Sequence, residues 1–317
     1  MTDKIQMALS VGQDTAINVL VMIMLMAIGL ILAKKDILTS VGIKQITELV
    51  LRVSTPCLII TSYQRDFDAQ MAKKLVYALL FSLIIHFVYI LIAALIFKKR
   101  PDKKDRISKF SIIYSNCGFM ALPLIESLYG SEGVFYAVAY VTVFNILYWT
   151  QGVYLYTNDI KELSFKKAFM TPGVLGAVIG MTLFFTQITL PSPVAKTASF
   201  VAALNTPLPM IVLGTYLANL NIKKTLKDAS LWAVTGLRLI ILPVLTIFII
   251  KILNMESIVA MPLVLASACP VAAVTTLFAV RYDLDSEYSS QAVSFTTLLS
   301  IITIPAIMMI ATFVLYI

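Results

Sequence analysis

Apolar and polar positions are segregated on a coarse scale: long apolar runs alternate with short polar connections. Ten runs stand out, approximately 15–33, 42–63, 75–97, 108–129, 133–156, 172–190, 196–219, 229–252, 257–280 and 288–316. Each is near the roughly 20 residues that a helix needs to cross the hydrocarbon core of a bilayer. The connections, such as KKRPDKKDR at 98–106 and NIKKTLKDA at 221–229, are too short to hold a soluble domain. The second, fourth, seventh and ninth runs are interrupted by Pro, Gly, Asn or charge. The first run follows a single lysine and has no small-residue cleavage site, so it reads as a retained span.

Composition sharpens this picture. Hydrophobic residues make up 59% of the 317 and charged residues 13%, with a mean hydropathy of +0.90. A soluble domain is about 45–50% apolar and about 25% charged. The chain therefore reads as an all-α integral membrane protein, which excludes most soluble enzymes, nucleic-acid readers and disulfide scaffolds. The net charge of +8 follows from cytoplasmic loops collecting Lys and Arg. Of the 25 Lys and Arg, 17 fall in the odd-numbered connections and 6 in the even ones and the tails. Both termini are thus expected outside, with 98–109 as the main basic cytoplasmic loop. Cys57, Cys117 and Cys269 are far apart, with no CxxC or His–Cys spacing, so neither a metal nor a disulfide framework is expected.

A faint internal repeat runs through the chain. Ser54-Thr55-Pro56 matches Asn205-Thr206-Pro207 at an offset of 151, and Ile28-Gly29 matches Ile179-Gly180 at the same offset. Ser115-Asn116-Cys117-Gly118 matches Ser267-Ala268-Cys269-Pro270 at 152. Five spans in each half make the second half an inversion of the first. The expected division is 1–157, a short cytoplasmic linker at 158–170, and 171–317. The repeat pairs two interrupted helices, one at Gly118 and Pro123, the other at Pro270. Backbone groups freed at membrane depth persist only where protein or a water-filled cavity satisfies them. Half-helix N-termini there offer N–H groups and partial positive charge to an anion.

Ionisable groups at membrane depth are few, so each is informative. Arg238, in WAVTGLRLIILP, has no acid nearby on its own helix; its forked donors suit a carboxylate ligand, an interhelical partner or the cytoplasmic edge. Arg52 follows Glu48 by one turn, which predicts a local pair. His86, the only histidine, is a candidate proton relay or a neutral side chain bonded to a neighbouring helix. Asn116 and Asn205, with Thr206, lie at the helix breaks and are candidate ligand groups. Asn145 and Gln151 read as helix-joining residues. No GxSxG, HExxH, P-loop or usable GxGxxG is present, so a secondary carrier or, less readily, a channel is expected rather than an enzyme or an ATP-driven pump.

Ten spans, STP and NTPLPMIVLGTYLA in the second and seventh, NCGFMALPL in the fourth and ACPVAAVTTLFA in the ninth resemble the auxin efflux carrier family. Its prokaryotic members include presumed malate and malonate permeases, and its crossover is shared with bile-acid and arsenite carriers. The resemblance implies ten transmembrane helices as two five-helix inverted repeats. Spans one, two, six and seven would form a dimeric scaffold, and spans three to five and eight to ten a transport part. Helices four and nine would cross at their breaks. By position, the crossing is Asn116, Cys117, Gly118 and Phe119 with Ala268, Cys269, Pro270 and Val271. The chain lacks the long central loop of the plant carriers and has Asn-Cys-Gly where they have Asn-Pro-Asn, which disfavours an indole-acid substrate. The expected function is elevator-like secondary transport of a small organic anion, a mono- or dicarboxylate, in the plasma membrane as a homodimer. No cofactor, metal or nucleic-acid partner is implied. A sodium-coupled bile-acid-type symporter and a ligand-binding sensor or channel are the alternatives. The crossing helices carry no carboxylate near their breaks, Glu126 lying toward the outer end, which disfavours sodium.

Overall fold

The computed structural model describes residues 2–97, 102–218 and 220–316, and among these every regular element is helical. The start of the basic loop, 98–101, lies outside the described residues. Helix α1 spans Thr2–Lys34. Helix α2 covers 40–62 and α3 Ala69–Ile96. After α4, Lys103–Ile113, the chain is extended before helix resumes at Cys117. This second stretch is split at Gly130, whose φ of 60° is non-helical, into α5 (117–129) and α6 (131–157). A short α7, Phe165–Phe169, precedes α8, Pro172–Thr186. Ser192–Ala203 (α9) and Pro207–Leu217 (α10) are separated by a three-residue break. The remainder is α11 (Ile222–Leu226), α12 (229–252), α13 (Ser257–Ala268), α14 (Val274–Arg281) and α15 (Ser286–Leu315).

Among the described residues, seven stretches are long and apolar enough to cross a membrane: Ile5–Lys34, Ala69–Ile96, Cys117–Thr157, Ile160–Thr186, Ser192–Leu217, Ala229–Ile252 and Ser286–Leu315. The third, at 41 residues, is about twice what one crossing requires, and Gly130 breaks it. Large apolar side chains such as Phe200, Leu95 and Ile252 are exposed along these helices, as a lipid-facing surface demands and a water-facing one does not tolerate. The chain is a multi-pass membrane protein.

Prolines shape the helices from within. Of four wide π turns among the described residues, Tyr148–Gly152 has no proline after it; the other three occupy Val50–Ser54, Cys117–Ala121 and Leu237–Ile241. Pro56, Pro123 and Pro243 follow each of them by two residues. A proline has no N–H for the carbonyl one turn back and its ring crowds that carbonyl, so the preceding turn widens. Two of these turns carry arginines, Arg52 and Arg238, the second of them within a membrane-crossing stretch.

Close backbone packing joins α1 to α10. A Cβ on Gly29 would lie 2.0 Å from the Ile211 carbonyl oxygen, and one on Gly214 1.9 Å from that of Met26. On the other side, Gly180 of α8 abuts the Tyr63 ring and Gly176 abuts Pro56. Small residues at such crossings let helices approach closely in a membrane, where the solvent offers no hydrophobic drive to associate. Two further bonds tie α2 to the break after α9: Ser54 Oγ donates to the Val201 carbonyl at 3.0 Å, and Thr55 Oγ1 to Asn205 Oδ1 at 2.7 Å.

Candidate functional site

Two extended segments meet where α4 and α13 end. The Asn116 N–H donates to the Pro270 carbonyl at 2.7 Å, and the Ala272 N–H to the Tyr114 carbonyl at 3.0 Å. Ser115 thereby faces Val271 in an isolated antiparallel bridge. This minimal ladder satisfies backbone groups that neither helix can use. Thr296 of α15 adds to it by accepting from the Val271 N–H at 3.1 Å. The motif residues Asn116–Phe119 and Ala268–Val271 are all at this crossing. All but Gly118 are buried, and a Cβ built on Gly118 meets nothing within 4 Å.

Arg238 is fully buried and serves both breaks. Its Nη1 donates to the carbonyls of Ile112 at 2.8 Å and Ile113 at 3.3 Å, and its Nη2 donates to that of Ser267. These are the last-turn carbonyls of α4 and α13, which lack helical donors. Each helix C-terminus carries roughly half a negative charge, so one guanidinium offsets two of them. The ring of Tyr89 lies 5.3 Å beneath the guanidinium. The Tyr89 hydroxyl is held by the Leu242 carbonyl, at 3.2 Å, and by Thr246. The structure thus places Arg238 between the two breaks, its terminal nitrogens on backbone carbonyls and its Nε without a hydrogen-bond partner.

With the C-termini answered, the N-termini of α5 and α14 contribute the remaining polarity, and it is positive. The buried Asn116 adds a donor there, its Nδ2 having no hydrogen-bond partner; at the break between α9 and α10 the buried Asn205 Nδ2 is likewise without one. Asn205 has its oxygen committed to Thr55, which fixes its amide nitrogen as the free group. Thr206, half-buried, precedes α10 at the same break.

His86 is buried in α3, with Nδ1 on the Ser82 carbonyl at 2.7 Å and its ring 4.6 Å from that of Tyr140. Its Nε2 and the Tyr140 hydroxyl have no partner. Arg52 pairs with Glu48 as its spacing predicts, and both are largely exposed. Gln151 joins helices by accepting from the Tyr114 hydroxyl at 2.7 Å, whereas Asn145 bonds within its own helix, to Val141. Glu126 is half-buried on α5, away from the breaks.

Several contributors carry no sequence signal. Tyr89, Tyr140 and Thr296 sit in apolar runs where an aromatic or hydroxyl residue reads as packing. Lys109, buried within α4, reads as part of the basic loop. Farther out, Lys104 pairs with Asp228 at 2.7 Å, and Ser108 and Ser230 both bond the Tyr288 hydroxyl, at 2.8 and 2.6 Å. These contacts fasten the ends of α4, α12 and α15 to one another.

Membrane-spanning helices with a polar, helix-broken centre define a membrane transport protein, and the comparisons agree. The model of a family described as membrane transport protein matches the chain twice, over residues 15–159 and 156–308. The chain belongs to this family, that of the auxin efflux carriers whose motifs it bears. It is 27% identical over 297 residues to an uncharacterized transporter of Methanothermobacter thermautotrophicus, covering 92% of this chain and 96% of that one. A second uncharacterized transporter, of Methanocaldococcus jannaschii, is 22% identical over 298 residues, covering 90% of this chain and 95% of its own length.

Proposed function

We propose that the protein is a secondary carrier of a small organic anion, a mono- or dicarboxylate such as malate or malonate, bound at the crossing of α4–α5 with α13–α14. One observation carries this reading: the two breaks present the unpartnered Asn116 amide and two helix N-termini with no carboxylate among Tyr114–Phe119 and Ala268–Ala273. Buried donors without acceptors are costly, and an anionic oxygen is the ligand that satisfies them. Arg238 gives both terminal nitrogens to carbonyls and so holds the breaks together, while its buried Nε has no hydrogen-bond partner and is a further donor in this reading.

The double family match and the split at Gly130 support ten spans in two inverted halves, 1–157 and 171–317. Splitting the 41-residue stretch and counting α2 and the broken pairs α4–α5 and α13–α14 gives that number. Close packing of α1 with α10, and of α2 with α8 and α9, supports a scaffold of these helices; α15 packs as closely along α1, which makes that face the one on which the other helices would slide in an elevator-like cycle. In this reading the carrier is a homodimer in the plasma membrane, with both termini outside.

The test uses purified protein in liposomes loaded with radiolabelled malate, chased by external acids with and without H⁺ or Na⁺ gradients. Saturable exchange stimulated by dicarboxylates is expected, and Asn116→Ala should weaken substrate affinity about tenfold, the equivalent of one hydrogen bond to a charged group. Conductance without exchange would instead identify a channel. Unchanged affinity in Asn116→Ala would move the site elsewhere.

A further inference from the structure

The anion site leaves one titratable side chain at membrane depth without a task, and such groups mark function more often than packing. His86, the only histidine of the chain, is fully buried near the middle of α3. A carbonyl only accepts, so the 2.7 Å contact with the Ser82 carbonyl puts the ring's proton on Nδ1. The neutral imidazole then keeps a bare lone pair on Nε2, and that atom has no partner. From outside α3, the ring is faced by the Tyr140 ring of α6 at 4.6 Å, the Tyr114 ring at 6.4 Å and Arg238 of α12. On its own helix the Tyr89 ring is 6.4 Å away. Helix α13, which also packs on α3, brings no ionisable side chain, and no carboxylate is among these neighbours. The same contacts tie the imidazole to the crossing: the Tyr114 carbonyl belongs to the ladder, and Tyr89 lies beneath the Arg238 guanidinium.

We propose that His86 Nε2 is the proton site of a proton–anion symport, taking up one proton for each anion bound at the crossing. This deepens the carrier reading and rests on it. On loading, a solvent proton forms an N–H bond at the Nε2 lone pair and the ring becomes an imidazolium. On unloading, that bond breaks and the proton leaves with the anion; nothing is oxidised or reduced. Two neighbouring cations repel in a low-dielectric interior, so an imidazolium beside Arg238 is disfavoured while the crossing is empty. An anion held at the N-termini of α5 and α14 offsets both charges. Proton and anion therefore raise each other's affinity by one common factor, and the states with both or neither are favoured, as symport requires. A structural histidine, bonded only through Nδ1, would leave the anion's affinity independent of pH.

Wild-type protein in weakly buffered detergent at pH 7, where carboxylates are ionised, is titrated with malate while a pH dye reports proton uptake. About one proton per malate bound is expected; malate binding without proton uptake would overturn the proposal. Malate affinity should rise from pH 8 to pH 6 by up to about tenfold per unit, the limit for one linked proton. His86→Gln keeps a polar side chain without a titrating group and should show one affinity across that range. A pH dependence unchanged in this variant would overturn the assignment to His86. In liposomes held at zero membrane potential, an inward proton gradient should drive malate accumulation by wild type, and any uptake by His86→Gln should not respond to it. Wild-type exchange indifferent to the gradient would count against symport alone. Failure to bind or exchange any acid would overturn the carrier reading, and this one with it.

Discussion

Thr55 and Asn205 stand 150 residues apart in the chain and share a buried hydrogen bond of 2.7 Å, hydroxyl to carboxamide oxygen. They belong to the matched triplets Ser54-Thr55-Pro56 and Asn205-Thr206-Pro207, so equivalent motifs of the two halves grip one another. The bond also orients Asn205 so that its amide nitrogen is the unpartnered group.

Thr55→Val should therefore destabilise the fold by about 1–3 kcal/mol, the cost of a buried acceptor left alone. Thr55→Ser, which keeps the donor, should lose less. Apparent melting temperatures in detergent check both, and a larger loss in Thr55→Ser than in Thr55→Val would mean that the methyl group rather than the hydroxyl matters.

Arg238→Met exposes three carbonyls at two helix ends and should cost about 3 kcal/mol or more. Arg238→Lys keeps the charge but not the fork, and should fall between Met and wild type. Monodispersity and thermal stability of the purified variants are the readouts. A lysine variant with wild-type stability but weakened malate affinity would instead place the cation on the substrate.

Gly214→Ala should fail to fold or lose several kcal/mol, because its Cβ would overlap the Met26 carbonyl at 1.9 Å and overpacking already costs about 1–3 kcal/mol where neighbours can move. Gly236→Ala meets nothing within 4 Å. It should be neutral or gain up to about 1 kcal/mol from helix propensity. Comparing expression and melting of the two separates steric from conformational glycine.

Asp228 caps α12 just outside the membrane. Burial opposes its charge, but the Lys104 ammonium and the N–H groups of Ser230 and Leu231 outweigh that and hold its carboxyl below the ordinary 3.8. A depressed carboxylate stabilises the fold above its unfolded value and loses that contribution as pH falls through the folded one. Asp228→Asn should thus lower the melting temperature at pH 7 and make no difference once both forms are protonated, near pH 2. A difference that persists there would assign the effect to the cap alone.

Much of the architecture is legible in residue order, because a bilayer forces long apolar runs and leaves prolines and polar groups conspicuous. The breaks at Asn116–Gly118 and Cys269–Pro270 announce themselves in this way. What one residue faces does not. Arg238 is visibly at membrane depth, but only the fold sets before it the carbonyls of Ile112 and Ile113, more than 100 residues away, and that of Ser267, 29 residues on. The ladder of Tyr114–Asn116 with Pro270–Ala272 is equally non-local, and it has no periodicity to read. Tyr89 and Tyr140 are silent for another reason: their rings belong in any apolar run, and only position reveals their hydroxyls.

The guanidinium that ends both α4 and α13 also says something about ancestry. Arg238 lies 152 residues after His86, the same interval that separates Cys269 from Cys117, so a gene duplication would have given both positions one parent. Only one of the descendants now closes helices, and it closes one in each half. The first half taken alone would leave the end of α4 without this donor, whereas the second half keeps its own. The asymmetry makes the first half depend on the second for the end of one of its helices.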